Sequence, residues 1–430
     1  MKKIAVLSLA QARILDRRDS LRKFRTAFHF PRHGRTSALY FCGNSLGLLP
    51  KQAAMLLKEE TDQWKKFGVE GHFRGKRPWM TYHRQFTASL AQITGALPSE
   101  VVAMNQLTVN LHLMLTSFYR PTSQRYRIIA EAGAFSSDRY AIESQIRLHG
   151  LSLSDTLVEI SPLTGEHALR TEDILSTIRQ HGATVALVLF SGVQYYSGQY
   201  FDIASITKAA HDVGAFAGFD LAHAIGNVPL ELHDHGVDFA VWCSYKYLNG
   251  GPGAIAGAFI HEQHHQKNLP RLAGWWGHEE KNRFAMRPGF TPMAGAEGWQ
   301  LSNFPVMSGT ALLASLAIFR KAGMKAIRQK SIRLTGYCEA ILTSLDPQQQ
   351  HFLIITPSDR GAQLSLLMKH DGRAIFDWLT HKGVIADWRE PDVIRIAPAP
   401  LYNSFEDVVR FGDLMQGALK AVAKRKKRHA

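Results

Sequence analysis

The sequence predicts an α/β protein with a mostly parallel central sheet, helices on both faces, and a smaller α+β domain at its C-terminal end. Three observations predict it. Short apolar, β-branched runs at Arg127–Ala130, Thr184–Phe190, Ala215–Phe219 and Phe239–Cys243 are separated by helical patterns at Asp138–Leu148, Thr171–Gln180 and Ile203–Val213. That alternation builds βαβ units whose parallel strands are covered on both faces. From about Ser308 the rhythm stops and a long helical stretch runs through Leu345. With 430 residues, 45% hydrophobic and 20% charged, the chain has length for two or three domains at roughly 100 to 200 residues each, and apolar material to fill their cores.

Taken in order, MKKIAVLSLA opens like a signal peptide, but its apolar stretch is very short and runs into QARILDRRDS with no small-residue cleavage pattern. It reads as mature protein. Gln52–Phe67 predicts a helix and Tyr82–Thr94 another, with a Gly-rich basic loop, Gly71–Pro78, between them. The strand and helix alternation fills the middle. Beyond the Ser308–Leu345 stretch come a strand near Gln363–Met368, a helix near Arg373–His381, a strand at Val393–Ile396 and a closing helix. No repeat or Pro/Ser-rich linker marks a boundary, so the pattern sets the domains: residues 1–70 as an arm and helix joining the small domain, 71–306 as a large domain, and 307–430 as a small domain with a basic tail.

Composition argues against several functions. The chain has no apolar run of the length, about eighteen residues, that a membrane helix needs. Cys42, Cys243 and Cys338 are too scattered for a disulfide framework or a C-x-x-C metal site, which suits a reducing cytoplasm. Five of the charges in the net +15 sit in the tail KRKKR, Lys424 to Arg428. The rest shows no aromatic-interleaved basic stripe, zinc-finger spacing or RNP-like motif, so anionic small molecules are better expected partners than nucleic acid.

The chemistry is expected beyond the carboxyl ends of the strands, where open α/β sheets bind ligands. Three strand patterns end in polar residues there: Ser191, Asp220, and Ser244-Tyr245-Lys246. A strand-end aspartate, His223 close behind it, a lysine at the end of the next strand and a Gly-rich Asn249–Gly253 loop suit pyridoxal phosphate chemistry. The lysine bonds to the cofactor aldehyde while the aspartate keeps the ring nitrogen protonated, so the ring becomes an electron sink. Lys246 by itself would read as a solvated turn lysine. Arg395 is a charge inside an apolar strand pattern and needs an anion, either a structural carboxylate or a ligand.

Two further motifs point elsewhere. His261-Glu262-Gln263-His264-His265 satisfies H-E-x-x-H, which binds zinc on a helix, but it follows a strand-like Ala254–Ile260 and has no evident third ligand. No metal is expected. Gly43-Asn44-Ser45-Leu46-Gly47 satisfies the G-x-S-x-G of serine hydrolases, yet Pro50 follows closely and no oxyanion loop appears. It reads as a turn whose Asn44 or Ser45 borders a substrate.

Over nearly its whole length the chain resembles the kynureninases, pyridoxal-phosphate enzymes of fold type I, the aspartate aminotransferase-like superfamily. The resemblance is carried by YFCGNSLGLLP, GKRPW, MNQLTVNLHLML, FSSDRYAIESQ, FSGVQYYSGQ, FDLAHAIGNVPLELHD, CSYKYLNGGPG, LAGWWGH, QLSNFP and IRIAPAPLYNS. It implies that Lys246 carries the cofactor, Asp220 faces the ring nitrogen and His223 lies beside the ring. Leu107 and Thr108 would meet the phosphate at a helix N-terminus, with Tyr245 and the Trp275 indole completing the cup and Ser191 close by. Phe135 would stack on the ring, with Ser136, Ser137 and Asp138 in the same loop, Ser136 standing where the family pattern has proline. Asn303 would also reach the cofactor.

For the substrate, the resemblance implies α-carboxylate recognition by Arg395 and a pocket bordered by Asn44, Ser45, His72, Ser302 and Asn303. It further implies a homodimer with shared active sites. The reaction is hydrolytic Cβ–Cγ cleavage of L-kynurenine or 3-hydroxy-L-kynurenine in tryptophan catabolism and NAD biosynthesis, with Lys246, Asp220 and, as an acid/base group, Tyr245 as catalytic residues. The rivals are another fold type I enzyme, such as a class V aminotransferase or a cysteine desulfurase, then a serine hydrolase or a basic interaction protein without activity.

Overall fold

The computed structural model describes residues 8–429, with side chains through Lys424. The opening residues 1–7 and most of the side chains in the KRKKR tail lie outside the described residues. The centre is a seven-stranded sheet: β1 (Val101–Ala103), β2 (Arg127–Glu131), β3 (Leu157–Ile160), β4 (Val185–Ser191), β5 (Phe216–Asp220), β6 (Phe239–Trp242) and β7 (Gly257–Ile260). Its order is β1-β7-β6-β5-β4-β2-β3. From β3 to β6 all neighbours are parallel. Only β7 runs antiparallel to both of its neighbours.

The strands form where the sequence is continuously apolar. In β4 every residue but the last is buried, the signature of a strand covered on both faces. Helices α1 (Leu9–Arg17), α2 (Lys51–Phe67), α3 (Arg84–Thr94), α4 (Leu107–Phe118), α5 (Ser136–Leu148), α6 (Thr171–His181) and α7 (Ile203–Asp212) follow in order, the last four among the strands of the sheet. Local chemistry fixes their ends. Asp202 caps α7 by accepting from the Ser205 backbone N–H at 3.0 Å. Gly95 ends α3 at φ 61°, and a Cβ there would lie 2.3 Å from the Leu230 carbonyl oxygen, so the turn requires glycine twice over.

The Ser308–Leu345 stretch is two helices, α8 (Val306–Ala322) and α9 (Met324–Leu345). Gly323, at φ 76°, breaks it. Helix α8 packs along α2 and sends Leu312, Leu316 and Phe319 into the core of the large sheet. A second core therefore begins within α9, later than residue 307, and α2 packs with the large unit. This second core covers an antiparallel sheet in the order β8 (Phe352–Ile354), β9 (Leu364–Met368), β11 (Val393–Ile396), β10 (Asp387–Arg389), with α10 (Gly372–His381) and α11 (Phe405–His429) against it.

The N-terminal arm stitches the two units together. Helix α1 packs on α11, and Leu39–Tyr40 pair in parallel with Val384–Ile385. The strap continues toward the large unit: the Ala397 N–H donates to Phe41 O at 2.7 Å, and the Gly47 N–H donates to Tyr245 O at 2.8 Å.

Candidate active site

Parallel strands deliver their last residues to one edge. Glu131 ends β2, Ser191 ends β4 and Asp220 ends β5, with Ser191 and Asp220 directly paired in register. Beyond that edge lies a cavity of about 520 Å³, lined by Leu107, Thr108, Phe135, Ser137, Asp138, Ser191, Asp220, His223, Tyr245 and Lys246, together with Val193, Tyr195 and Ala222. Ten residues expected around a cofactor thus converge on one hollow of ligand size.

One end of the cavity is suited to a phosphate. Helices α4 and α5 begin there, and the Thr108 and Ser137 hydroxyls lie 2.7 Å apart. Helix N-termini present free backbone N–H groups and a positive dipole end. The cavity is also acidic. Asp138 and Asp220 share a hydrogen bond; burial first, then the charge of Asp220, pushes Asp138 well above its usual range. Burial also raises Asp220, against the pull of Asp138 and Lys246, and one Asp220 oxygen accepts from the Ala222 N–H at 2.7 Å. An Asp138 oxygen, His223 Nδ1 and Ser244 Oγ are buried without a hydrogen-bond partner in the protein. These orphaned atoms and the anion cradle fit pyridoxal phosphate, with its ring nitrogen toward the aspartates.

Burial, followed by the charges of Lys246, Arg395 and Arg389, drives His223 well below its usual pKa, so its ring is neutral. Lys246 lines the same cavity, its Nζ 5.7 Å from the Phe135 ring centroid and 5.8 Å from that of Tyr245. Its loop is held by the Gly250 N–H, which donates to Ser244 O at 2.8 Å. Burial raises the Tyr245 phenol, which keeps it protonated and fits it to donate rather than accept a proton.

Arg395 is fully buried behind Tyr195. Its Nη1 donates to Tyr195 O at 2.5 Å, its Nη2 donates to Ser45 Oγ at 3.3 Å, and it pairs closely with Asp387. Ser45 Oγ also donates to Asp387 at 2.5 Å. The carboxylate that the sequence pattern demanded is therefore present within the chain. Asn44 is buried too, and its amide donates to Gln363 at 2.8 Å.

Other expected residues lie elsewhere in the single chain. Ser136 does not line the cavity. The Trp275 indole donates to Arg283 O at 3.0 Å and its ring is 43% exposed, outside the phosphate cradle. His72 and Asn303 line a second hollow of about 910 Å³ with Trp64, Trp79, Trp276 and Phe304, and Ser302 is exposed on the adjoining loop.

The competing motifs resolve into structure. His261–His265 holds a 3-10 turn instead of a helix. The motif histidines are His261 and His265: His265 Nε2 bonds to Ile260 O at 2.9 Å, whereas His261 stacks on His233 beside Glu100, so the two do not share a ligand position. In the G-x-S-x-G segment, a Cβ on Gly47 would meet Asn249 Oδ1 at 2.3 Å and Lys246 O at 2.4 Å. That glycine permits a close approach to the lysine loop. Burial pushes Cys338 up to about 12 and Cys42 and Cys243 up to about 11, the opposite of what a nucleophilic desulfurase thiol needs.

Sequence reasoning missed Glu131, Tyr195 and Asp387. Glu131 carried a usable signal, an acid closing the apolar run RIIAE just as Asp220 closes FAGFD. Tyr195 and Asp387 lie in loop and edge segments whose polar composition gives no contrast.

Residues 327–415 match the kynureninase C-terminal domain family, and residues 151–362 match aminotransferase class-V. The chain is 55% identical over 412 residues to the kynureninase of Myxococcus xanthus, covering 94% of this chain and 96% of that one. It is 50% identical over 414 residues to the kynureninase of Flavobacterium psychrophilum, covering 95% and 97%. Among solved structures, the cysteine desulfurase CsdA of Escherichia coli superposes with a TM-score of 0.76 at 16% identity, covering 94% of this chain and 99% of that one, which shows the shared fold. Identity at this level over nearly the full length, on a fold type I scaffold, shows that the chain belongs to the kynureninase family.

Proposed function

We infer that this chain is a pyridoxal-phosphate-dependent hydrolase that cleaves the Cβ–Cγ bond of L-kynurenine or 3-hydroxy-L-kynurenine, releasing anthranilate or 3-hydroxyanthranilate and L-alanine. The observation that carries the reading is the convergence of Lys246, Asp220 and two helix N-termini on one cavity. Pyridoxal phosphate supplies the electron sink that stabilises negative charge at the substrate Cα. Lys246 Nζ would hold the cofactor, and its amine is the base placed to take the substrate Cα proton. The Asp220 carboxylate keeps a proton on the ring nitrogen, and the neutral His223 packs beside the ring without adding a competing charge. Tyr245, kept protonated, donates from its phenol oxygen.

Arg395 receives the substrate α-carboxylate in this proposal, the substrate taking the place that Asp387 holds in the free chain. His72, Ser302 and Asn303 act on the aromatic end across a homodimer interface, as does Trp275 at the phosphate. The support is their grouping around a hollow outside the Lys246 cavity, bordered by exposed apolar residues such as Trp64 (62%) and Met307 (38%), a pattern typical of partner surfaces. Three free cysteines support a cytoplasmic location. Among the described residues no helix is long and apolar enough to cross a membrane.

Incubating the purified holoenzyme with each substrate and measuring the aromatic amine released tests the function. Release of anthranilate or its 3-hydroxy form is expected. Cofactor colour without amine from either substrate, together with alanine and sulfur release from cysteine, would transfer the protein to the desulfurase reading.

A further inference from the structure

We propose that Glu131 is a positioning residue for the reaction: it anchors Ser191 and sets a third buried carboxylate behind the Asp138–Asp220 pair, strengthening the hold on the ring-nitrogen proton. The proposal rests on the reading of Lys246 and Asp220 given above.

Glu131 is 2% exposed at the end of β2. Ser191 Oγ donates to it at 2.5 Å, and the Ser191 N–H lies 3.2 Å from both of its oxygens. Ser191 is the register partner of Asp220, so the two acids flank one serine across three adjacent strands. The charged groups around Glu131 are mostly of its own sign. Asp220 from β5 and Asp138 from α5 act on it or feel its charge. Lys246 faces those two aspartates from the loop after β6. From the loop after β3, Glu166 and His167 share a hollow of about 670 Å³ with it.

A buried carboxylate without a cation is costly. Burial, then the charge of Asp220, outweighs the Ser191 bonds and pushes the Glu131 carboxyl up to about 7. A protonated ring nitrogen against Asp220 supplies the missing positive charge, and the three acids together then favour that proton more than Asp220 alone would. A mere fastener between β2 and β4 would need only the bonds to Ser191. The carboxylate does more, because its charge reaches Asp138, which shares a hydrogen bond with Asp220.

Glu131→Gln separates the two roles, since the amide still accepts from the Ser191 N–H but carries no charge. With pyridoxal phosphate bound, the visible band of the lysine-held cofactor is titrated against pH in the wild type and the variant, and kcat and KM for kynurenine are measured on the same preparations. The titration midpoint is expected to fall by about one unit, the scale of a neighbouring charge. Correspondingly, kcat falls about tenfold with KM within about twofold. A midpoint unchanged in the variant, even with a lower melting temperature, overturns the proposal and leaves Glu131 as a fastener. Should Glu131→Gln not fold, Glu131→Met, an apolar side chain of similar length, is titrated in its place, and a midpoint unchanged from the wild type overturns the proposal. Failure of the underlying site reading looks different, as a visible band that survives Lys246→Ala.

Discussion

Replacing Arg395 with lysine separates the guanidinium fork from its charge. Both terminal nitrogens of the fork are used, one donating to Tyr195 O at 2.5 Å and the other to Ser45 Oγ at 3.3 Å and to Asp387, while the buried Nε has no partner among the described residues. A lysine ammonium retains the charge but has a single nitrogen, which cannot span Tyr195 O and a carboxylate together. One charge-assisted hydrogen bond to the substrate carboxylate is worth about 1.5 to 3 kcal/mol. At about 1.4 kcal/mol per factor of ten, its loss raises KM roughly 10- to 100-fold. Because Arg395 does not line the cofactor cavity, the visible cofactor band should stay unchanged. Steady-state kinetics on both substrates, with spectra of the same samples, measures both effects. A variant that loses the band, or that keeps a wild-type KM, refutes carboxylate recognition and leaves Arg395 as the structural partner of Asp387. Arg395→Ala provides a control, since it takes the closest cation from Asp387 and leaves it Arg389 at 3.2 Å and Ser45, a loss below the ~3 kcal/mol of a fully uncompensated buried charge, which Asp387→Asn in the same chain should largely recover in melting temperature.

Lys246→Ala should abolish the visible band and turnover with the fold intact, and borohydride reduction with peptide mapping should find cofactor on Lys246; attachment to another lysine sinks the assignment. Mixing Lys246→Ala with Asn303→Ala chains should restore activity in heterodimers, whereas full activity of a wild-type monomer at high dilution contradicts shared sites. His72→Trp should lower kcat/KM for 3-hydroxykynurenine more than for kynurenine; equal losses speak against a hydroxyl-reading role. Asp238→Asn should destabilise the fold by about 3 kcal/mol, because this 2% exposed carboxylate accepts from the Ala217 N–H at 2.7 Å and bonds His211 at 2.8 Å and His264 at 2.7 Å. Its bond to His211 raises the His211 pKa above 6.5. That part of the stability is fully present below pH 6.5 and is lost as pH rises through the raised value. Melting temperatures from pH 5.5 to 8.5 should show the decline in the wild type and a flatter profile in the variant, and parallel profiles would show that the pair does not govern it.

The large unit was legible because its strands announce themselves twice, first as buried apolar runs and then by the polar residue that closes each one. Ser191, Asp220 and the Ser244-Tyr245-Lys246 step could be placed at one edge before any coordinates, since parallel strands end on the same side. The small unit was harder to divide. Gly323 lies within a continuous helical pattern, and only its positive φ and the packing of Leu312, Leu316 and Phe319 reveal that α8 belongs with the large core. The partner of Arg395 was invisible for a different reason. Asp387 stands opposite Arg395 in the β10–β11 register, and no periodicity within one strand specifies its neighbour.

In the proposed shared site, His72, Ser302 and Asn303 mark where a single chain stops being the right unit for reading it. Sequence motifs report that residues serve one reaction, but they do not say from which protomer. In this fold the strap around Gly43–Gly47 ties the small unit to the lysine loop, through Phe41 O to Ala397 N–H on one side and the Gly47 N–H to Tyr245 O on the other. Ser45, in the middle of that strap, touches both Arg395 and Asp387. Under the proposed function, the end of the substrate that resembles any amino acid is handled by groups that one chain fixes relative to Lys246. In the same proposal the aromatic end, which distinguishes this substrate from other amino acids, falls to residues on an exposed apolar surface. Catalysis of Cα chemistry and recognition of the aryl ketone are therefore physically separable here, and substitutions around the second hollow should alter substrate preference while leaving cofactor binding untouched.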